Sequence, residues 1–466
     1  MRDRYDLVVI GSGPAGQKAA ICAAKLRKRV VVIDRQDRIG GVSLHTGTIP
    51  SKTLREAVLY LSGFRQRAFY GRDYRLKDAI AVSDLERRVR PVLQHEIEVV
   101  RAQLKRNDVE VVHGSARFEG PHTLLVELQG GGAERVEADR VLVACGTRPA
   151  ENPSIAVDGK RIFNSDQLAN VEEIPKHLVI VGAGVIGLEY ASMLCALGGE
   201  VTLIDSRKRI LDFVDEEIID TLTYHMRRHN VTFRLGENVV SCALEQGANG
   251  SVVAAKLESG KTVRADALLY AVGRQSNTDR LALAAAGLEA DARGRLKVNE
   301  WFQTNVPHIY AAGDCIGFPS LASVSMEQGR LASLHMFDEA KAIPSNLLPY
   351  GIYTIPEISM VGRNEQELTE AKIPYEVGVA RYDELAKAQM VGDRIGLLKI
   401  LFDPASRRVL GVHAIGENAA EIIHIGQAVI ALGATIEYFR DTVFNYPTLA
   451  EAYKVAALDG LNKLRS

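Results

Sequence analysis

The chain of 466 residues is longer than one typical domain of roughly 100 to 200 residues, so several hydrophobic cores are expected. Its 57 basic and 58 acidic side chains nearly cancel, and 47% of residues are hydrophobic, which is an ordinary globular balance without the basic surplus of a nucleic-acid binder. No stretch approaches the roughly 18 to 20 uncharged apolar residues that cross a bilayer, and Leu7-Val8-Val9-Ile10 is too short for an export signal, so no nucleic-acid or membrane partner is expected and the location expected is cytoplasmic.

YDLVVIGSGPAGQKAA followed by VVVID at Asp34 reads as a buried strand, a glycine turn, an apolar helix and a second strand ending in an acid. From about Lys52 to Asn107 the pattern is helical with one charged face, and short strands then lead to VLVACGTRP at residues 141 to 149. KHLVIVGAGVIGLEYA and VTLID repeat the opening: Gly11, Gly13, Gly16 and Asp34 match Gly182, Gly184, Gly187 and Asp205 at one constant offset. Strands near residues 231 to 272 end in ALLYAVGRQSN, and HIYAAGDCIG follows at residues 308 to 317. Pro344, Pro349 and Pro356 suggest a linker, beyond which strands such as GLLKILFD alternate with the helical EIIHIGQAVIALG. The fold class expected is α/β, with two Rossmann-like dinucleotide-binding domains and a C-terminal α+β domain.

In each Gly-x-Gly-x-x-Gly loop the first glycine permits the tight turn, the second lets a pyrophosphate approach the backbone, and the third lets helix pack on strand. The helix N-terminus supplies free N–H donors for the phosphates. Asp34 and Asp205 are placed to accept hydrogen bonds from ribose hydroxyls. A carboxylate at residue 205 favours the 2′-hydroxyl of NAD, yet Arg207 and Arg209 follow it, and a guanidinium that grips phosphate in a bidentate way admits NADP as well.

These motifs together resemble the flavoprotein disulfide reductases. The resemblance spans the chain and rests on GSGPAG, GGVSLHTGTIPSK at residues 40 to 52, ACGTRP, GAGVIG, AVGRQSN, AAGDCIG and FNYPTLAE. It implies an FAD domain in two parts (1–149 and 275–345), an inserted NAD(P) domain (150–274) and a dimerisation domain (346–466), assembled as a homodimer or a larger homo-oligomer. The family's active segment reads Gly-Gly-x-Cys-x-x-x-x-Cys-x-Pro-Ser-Lys, and its two redox cysteines are replaced here by Ser43 and Thr48. A hydroxyl neither forms a disulfide nor attacks one as a thiolate. The family's His-Pro-Thr-x-x-Glu has become Tyr446-Pro447-Thr448-Leu449-Ala450-Glu451. The five cysteines, Cys22, Cys145, Cys195, Cys242 and Cys315, include no Cys-x-x-Cys pair and are expected to be small, buried and inert.

By position, the resemblance implies dinucleotide contacts at Gly11, Gly13, Gly16, Asp34, Arg35, Gly41, Gly47, Thr48, Lys52, Gly146, Gly313 and Asp314, and at Gly182, Gly184, Gly187, Glu189, Asp205, Arg207, Gly273 and Arg274. Lys52 and Glu189 correspond to the family's ion pair beside the flavin and are the catalytic candidates. Val185 stands where the nicotinamide pocket is gated in the family, and His45 is a candidate flavin neighbour. Glu421 and His424, three apart on one helix, are expected at a subunit interface, and no metal is expected. With the thiol exit closed, the resemblance implies ping-pong hydride exchange between NADPH and NAD+, or NADH and NADP+, of the Si-specific type. An NAD(P)H oxidase or quinone reductase, or a non-catalytic nucleotide sensor, is the alternative.

Overall fold

The computed structural model describes residues 2–71, 73–77, 79–247, 250–340 and 347–464; Pro344 of the expected linker lies outside them. The described residues form two compact units, the first drawn from Met1–Leu54, Glu86–Glu151 and Gly273–Ser345, the second from Arg55–Leu85, Asn152–Val272 and Asn346–Ser466.

In the first unit, the near-continuous apolar runs of strands Arg4–Ile10 and Val30–Asp34 are buried on both faces, as parallel strands covered by helices require. Strands Glu110–Phe118, Val30–Asp34, Arg4–Ile10, Ala133–Val143 and Ile309–Ala311 lie side by side in parallel, and Thr123–Leu128 joins antiparallel between the outer parts of Glu110–Phe118 and Ala133–Val143. The register pairs Ile10 with Ile33 and Val143, and Val143 with Ala311. The carboxyl ends of four strands therefore align, and the loops carrying Gly11, Asp34, Gly146 and Gly313 emerge at one sheet edge, the usual ligand side of such a sheet. Helix Pro14–Lys25 packs against helix Ala322–Met336, where a Cβ on Gly329 would lie 2.1 Å from Ala15 O.

The second unit holds the repeat. Strands Val231–Leu235, Glu200–Asp205, His177–Val181, Ala267–Tyr270 and Ile162–Asn164 form an all-parallel sheet in which Val181 pairs with Ile204 and Tyr270. The three strands Val239–Gly247, Gly250–Leu257 and Thr262–Ala265 form a separate antiparallel sheet. An antiparallel sheet of Tyr350–Ile352, Ile358–Gly362, Val409–Ile415, Leu397–Phe402 and Glu376–Arg381 carries helices Ala419–Ala431 and Glu451–Lys463, with Phe402, Phe439 and Tyr453 in its core.

Two expectations change. The helical stretch is broken into separate helices Thr48–Ser62, Arg67–Tyr70 and Val82–Lys105, and the first two end at Gly63 and Gly71, whose φ angles are 61° and 94°, the left-handed region glycine adopts without penalty. Pro356 belongs to no linker, since it sits in the turn joining paired strands Tyr350–Ile352 and Ile358–Gly362.

Within this unit, the ammonium of Lys399, 1% exposed, reaches Asp215 Oδ1 at 2.9 Å and Glu217 Oε2 at 3.2 Å, and also bonds Glu365. Asp215 caps helix Glu216–Arg228 by accepting from Glu217 N at 3.2 Å, so one buried cation ties the nucleotide-type sheet to the C-terminal sheet. Removing one member of such a cluster strands buried charge. Lys399→Met is expected to destabilise the protein by about 3–5 kcal/mol, seen as a clearly lowered thermal unfolding transition; an unchanged transition would show that the cluster contributes nothing to folding.

Candidate functional site

The first glycine loop is held by its own acid. Asp34 Oδ2 accepts from Ser12 N at 2.8 Å and Ser12 Oγ at 2.6 Å, while Oδ1 accepts from Gln36 N at 2.9 Å. The Ser12 hydroxyl also accepts from Gly40 N at 3.0 Å, which ties the loop to the segment bearing Gly41 and Gly47. Helix Pro14–Lys25 starts at Gly13 without a side-chain cap and with proline at its first turn, so its leading N–H groups are available to an anion. A Cβ on Gly13 or Gly146 would meet nothing within 4 Å, whereas one on Gly11 would lie 2.3 Å from Ala144 O and one on Gly16 2.0 Å from Gly11 O. Two glycines thus leave the floor of the cradle open and two allow the backbone to close beneath it. The shape fits a dinucleotide pyrophosphate.

Around that cradle, Gly41 (φ 60°) lies so close that its Cβ would meet Gly13 Cα at 2.9 Å. Thr48 opens helix Thr48–Ser62, Ser43 Oγ donates to Gly40 O at 3.0 Å, and the Lys52 ammonium donates to Ser51 Oγ at 3.4 Å. His45 Nε2 lies 2.9 Å from Ile39 O. Gly313 N donates to Gln328 Oε1 at 2.8 Å and presents Asp314. Burial pushes the Asp314 carboxyl up, against the opposing charge of Arg274 and the hydroxyl of Thr147. Arg274 donates through Nε to Thr147 Oγ1 at 2.8 Å and through Nη2 to Thr147 O at 3.0 Å, and Thr147 Oγ1 lies 3.4 Å from Asp314 Oδ2. Arg35, next to Asp34, acts electrostatically on Cys145, and Ala150 N donates to Gly273 O at 3.2 Å.

The second loop repeats the backbone and changes the electrostatics. Gly182 (φ 108°) and Gly187 allow the same closure, a Cβ on Gly187 lying 2.0 Å from Gly182 O, and Gly184 is open. Asp205 Oδ2 accepts from Ala183 N at 2.6 Å, and Oδ1 from Arg207 N at 2.8 Å. Where the first loop uses the Ser12 hydroxyl, the second uses Arg207: its Nε and Nη2 donate to Asp205 Oδ1 at 3.0 Å and Oδ2 at 2.8 Å. Burial alone would raise the Asp205 carboxyl, but the bonds from the Arg207 side chain and the Arg207 and Ala183 backbone outweigh it and hold it below the usual range. The guanidinium stays half-exposed. Val185 opens helix Val185–Ala196, on which Glu189 is buried, and Arg209 pairs instead with Glu216.

His424 Nδ1 is 2.9 Å from Gln427 Oε1. Tyr446 is 72% exposed, and Glu451 Oε2 is buried with no hydrogen-bond partner among the described residues. All five cysteines are free, but Cys22, Cys145 and Cys242 are only partly buried, which corrects the expectation of uniform burial. The Cys145 thiol is pushed up by its hydrogen bond with Cys315 and by burial, and burial pushes Cys195 up to about 12 and Cys242 to about 11, so these three are not primed as thiolates. The carboxylates of Asp215, Glu217 and Glu365 converge, with the Lys399 ammonium bonding all three. Among the described residues, no helix is long and apolar enough to cross a membrane.

Ser12, Thr147 and the Arg207–Asp205 pairing escaped sequence reasoning. Ser12 occupies a variable place within the motif, and the other two depend on contacts that spacing does not reveal.

The chain matches two family models: pyridine nucleotide-disulphide oxidoreductase over residues 5–329, and the dimerisation domain of that family over residues 348–457. It is 52% identical over 463 residues to a soluble pyridine nucleotide transhydrogenase of Mycobacterium tuberculosis, covering 99% of this chain and 98% of the relative. The protein of that name from Colwellia psychrerythraea is 46% identical over 466 residues, with the same coverage. Among solved structures, LpdA from Mycobacterium tuberculosis superposes with a TM-score of 0.89 at 28% identity, covering 98% of this chain and 99% of that one. The HOCl-induced flavoprotein disulfide reductase RclA from Escherichia coli gives 0.86 at 26% identity, covering 97% and 99%. The family works with FAD and a pyridine nucleotide, and its dimerisation domain makes this protein a homo-oligomer. With both models matched and relatives alike over the full chain, this protein belongs to the pyridine nucleotide-disulphide oxidoreductase family.

Proposed function

We propose that the protein is a soluble pyridine nucleotide transhydrogenase of the Si-specific type, active in the cytoplasm, that exchanges hydride between NADPH and NAD+ or between NADH and NADP+. One observation carries this reading: the chain keeps both glycine-loop cradles, while Ser43, Thr48 and Tyr446 stand where the thiol relay of the family would be. Its full-length likeness to relatives of that name supports it.

Bound FAD supplies a two-electron carrier that takes hydride from one nicotinamide and gives it to another. The chain's own part is to hold and orient. Gly11, Gly13, Gly16 and Gly146 would hold the FAD pyrophosphate with the first-turn N–H groups of helix Pro14–Lys25, and Asp34 and Arg35 its adenosine end. Gly41, Gly47, Thr48 and Lys52 would hold the ring portion of FAD, and Gly313 and Asp314 its ribityl portion. The nicotinamide dinucleotides would be held by Gly182, Gly184, Gly187 and Glu189, and Gly273 and Arg274 are assigned as further dinucleotide contacts. Lys52 and Glu189 are the charged groups that tune the reacting ring. Serine and threonine at residues 43 and 48 offer no thiolate, so electrons leave by the nicotinamide side.

Serving NAD and NADP in turn demands an adenosine pocket tolerant of a 2′-hydroxyl and a 2′-phosphate. The Asp205–Arg207 pair meets that demand: the carboxylate can accept from a diol, and the half-exposed guanidinium can rotate to grip a phosphate. Arg207→Ala would leave Asp205 without its counter-ion. The Kd for NADPH is expected to rise about 10- to 100-fold, as for loss of a charged hydrogen-bond partner, and that for NADH less than about threefold. Equal losses for both dinucleotides would remove Arg207 from discrimination.

Anaerobic mixing of the FAD-loaded protein with NADPH and a thio-NAD+ analogue, repeated for all four donor and acceptor pairings, tests the activity. Coupled absorbance change in mixed pairings is the expected result. Its absence, with rapid consumption of oxygen or quinone instead, would replace this reading with an oxidase or quinone reductase.

A further inference from the structure

We infer that Arg55 and the segment 353–357 form a positioning brace for Glu189, an inference that rests on reading Glu189 as a residue of the nicotinamide site. Neither Arg55 nor residues 353–357 belong to the motifs that carry the family resemblance. Glu189 and Ser192 lie one turn apart on helix Val185–Ala196, each 4% exposed. The Glu189 carboxylate accepts from Tyr353 N at 2.9 Å. Ser192 Oγ donates to Glu189 O at 2.8 Å and accepts from Ile355 N at 3.1 Å. Thr354, between those two donors, turns its carbonyl the other way and accepts from Arg55 Nε at 3.1 Å.

Residues 353 and 355 grip the helix, and residue 354 is gripped by Arg55. The guanidinium is itself fixed, with Nη2 3.4 Å from Glu357 Oε2 and Nη1 donating to Glu56 Oε1 at 2.9 Å. Thr354 Oγ1 donates to Pro356 O at 2.6 Å, closing the turn that follows. Arg55, Glu189, Ser192, Thr354 and Glu357 are all buried. Hydrogen-bonded groups in a low-dielectric interior hold one another in a single arrangement, because any other leaves a buried polar group unmet. Arg55 therefore acts on the Glu189 carboxylate at second hand, through Thr354 and the Tyr353 N–H, and the C-terminal sheet that carries the segment sets the direction of that carboxylate.

Arg55→Met, Ser192→Ala and Glu189→Gln, alone and combined, test the brace in the FAD-loaded protein. The readouts are the rate at which NADH or NADPH bleaches the flavin, the flavin midpoint potential and the melting temperature. Arg55→Met and Ser192→Ala are each expected to slow bleaching about 3- to 30-fold and to move the potential in the same sense as Glu189→Gln. In the Glu189→Gln background the same substitutions should change the rate less than about twofold, the signature of coupled residues. Ser192→Ala removes one hydroxyl from a helix that tolerates alanine, so it reports even where Arg55→Met fails to fold. Equal fold-changes in both backgrounds, or a lowered melting temperature with an unmoved potential, would overturn the brace. Failure of either dinucleotide to bleach the unsubstituted protein would instead overturn the functional reading.

Discussion

Both nucleotide cradles depend on how closely a helix can approach the strand before it. A Cβ on Gly16 would stand 2.0 Å from Gly11 O, and one on Gly187 would stand 2.0 Å from Gly182 O. No side chain larger than hydrogen fits at such a distance. Because the approach is that close, the helix N-terminus faces the end of the sheet, its first N–H groups remain unpaired, and the flanking Gly13 and Gly184 leave space above them. The aligned carboxyl ends of the strands then bring the acid at residue 34 or 205 beside the loop it serves.

On that shared backbone the two copies diverge by charge. Asp34 is satisfied by neutral donors, the N–H and hydroxyl of Ser12. Asp205 is satisfied by two backbone N–H groups and a guanidinium. The first arrangement suits a resident cofactor of one chemical form, held by a carboxylate with its charge intact. The second nearly cancels the carboxylate's charge and keeps a cation in reserve at the surface, which suits visitors that differ by a phosphate. A bidentate pair is stable enough to remain closed without a ligand and exposed enough to open for one.

Across its two main sheets the second unit shares one apolar core, in which Ile180 and Leu203 pack with Ile358 and Leu397, and buried polar contacts add to it. Lys399 joins three carboxylates at one place, and Arg55, Thr354 and Ser192 join two helices through a loop at another. Apolar packing is tolerant of small slips, whereas a charge or hydrogen-bond donor withdrawn from its partner in a dry interior is strongly penalised. Such contacts therefore specify orientation more sharply than the surrounding Leu and Ile residues do. That property matters where a single carboxylate, Glu189, must point in one direction.

The local elements were legible in the amino-acid order because their causes are local. Leu7 to Ile10 and Val179 to Val181 read as buried strands by their apolar runs, Gly11 to Gly16 and Gly182 to Gly187 as phosphate loops by the spacing a tight turn requires, and Ser43, Thr48 and Tyr446 as lost thiol chemistry by the elements they lack. The break of the helical stretch at Gly63 and Gly71 was misread, since glycine in an otherwise helical pattern ends a helix only when the tertiary structure rewards the turn. Pro356 was misread as linker because proline marks a hairpin turn and a connection alike. The bonding of Arg207 to Asp205, of Thr147 to both Arg274 and Asp314, and of Arg55 to a carbonyl 299 residues away along the chain was decided by the tertiary structure alone. The chain order determines which groups exist and which local turns are possible; partners for buried polar groups are chosen only when folding excludes water and leaves each donor the acceptors that packing has placed within reach.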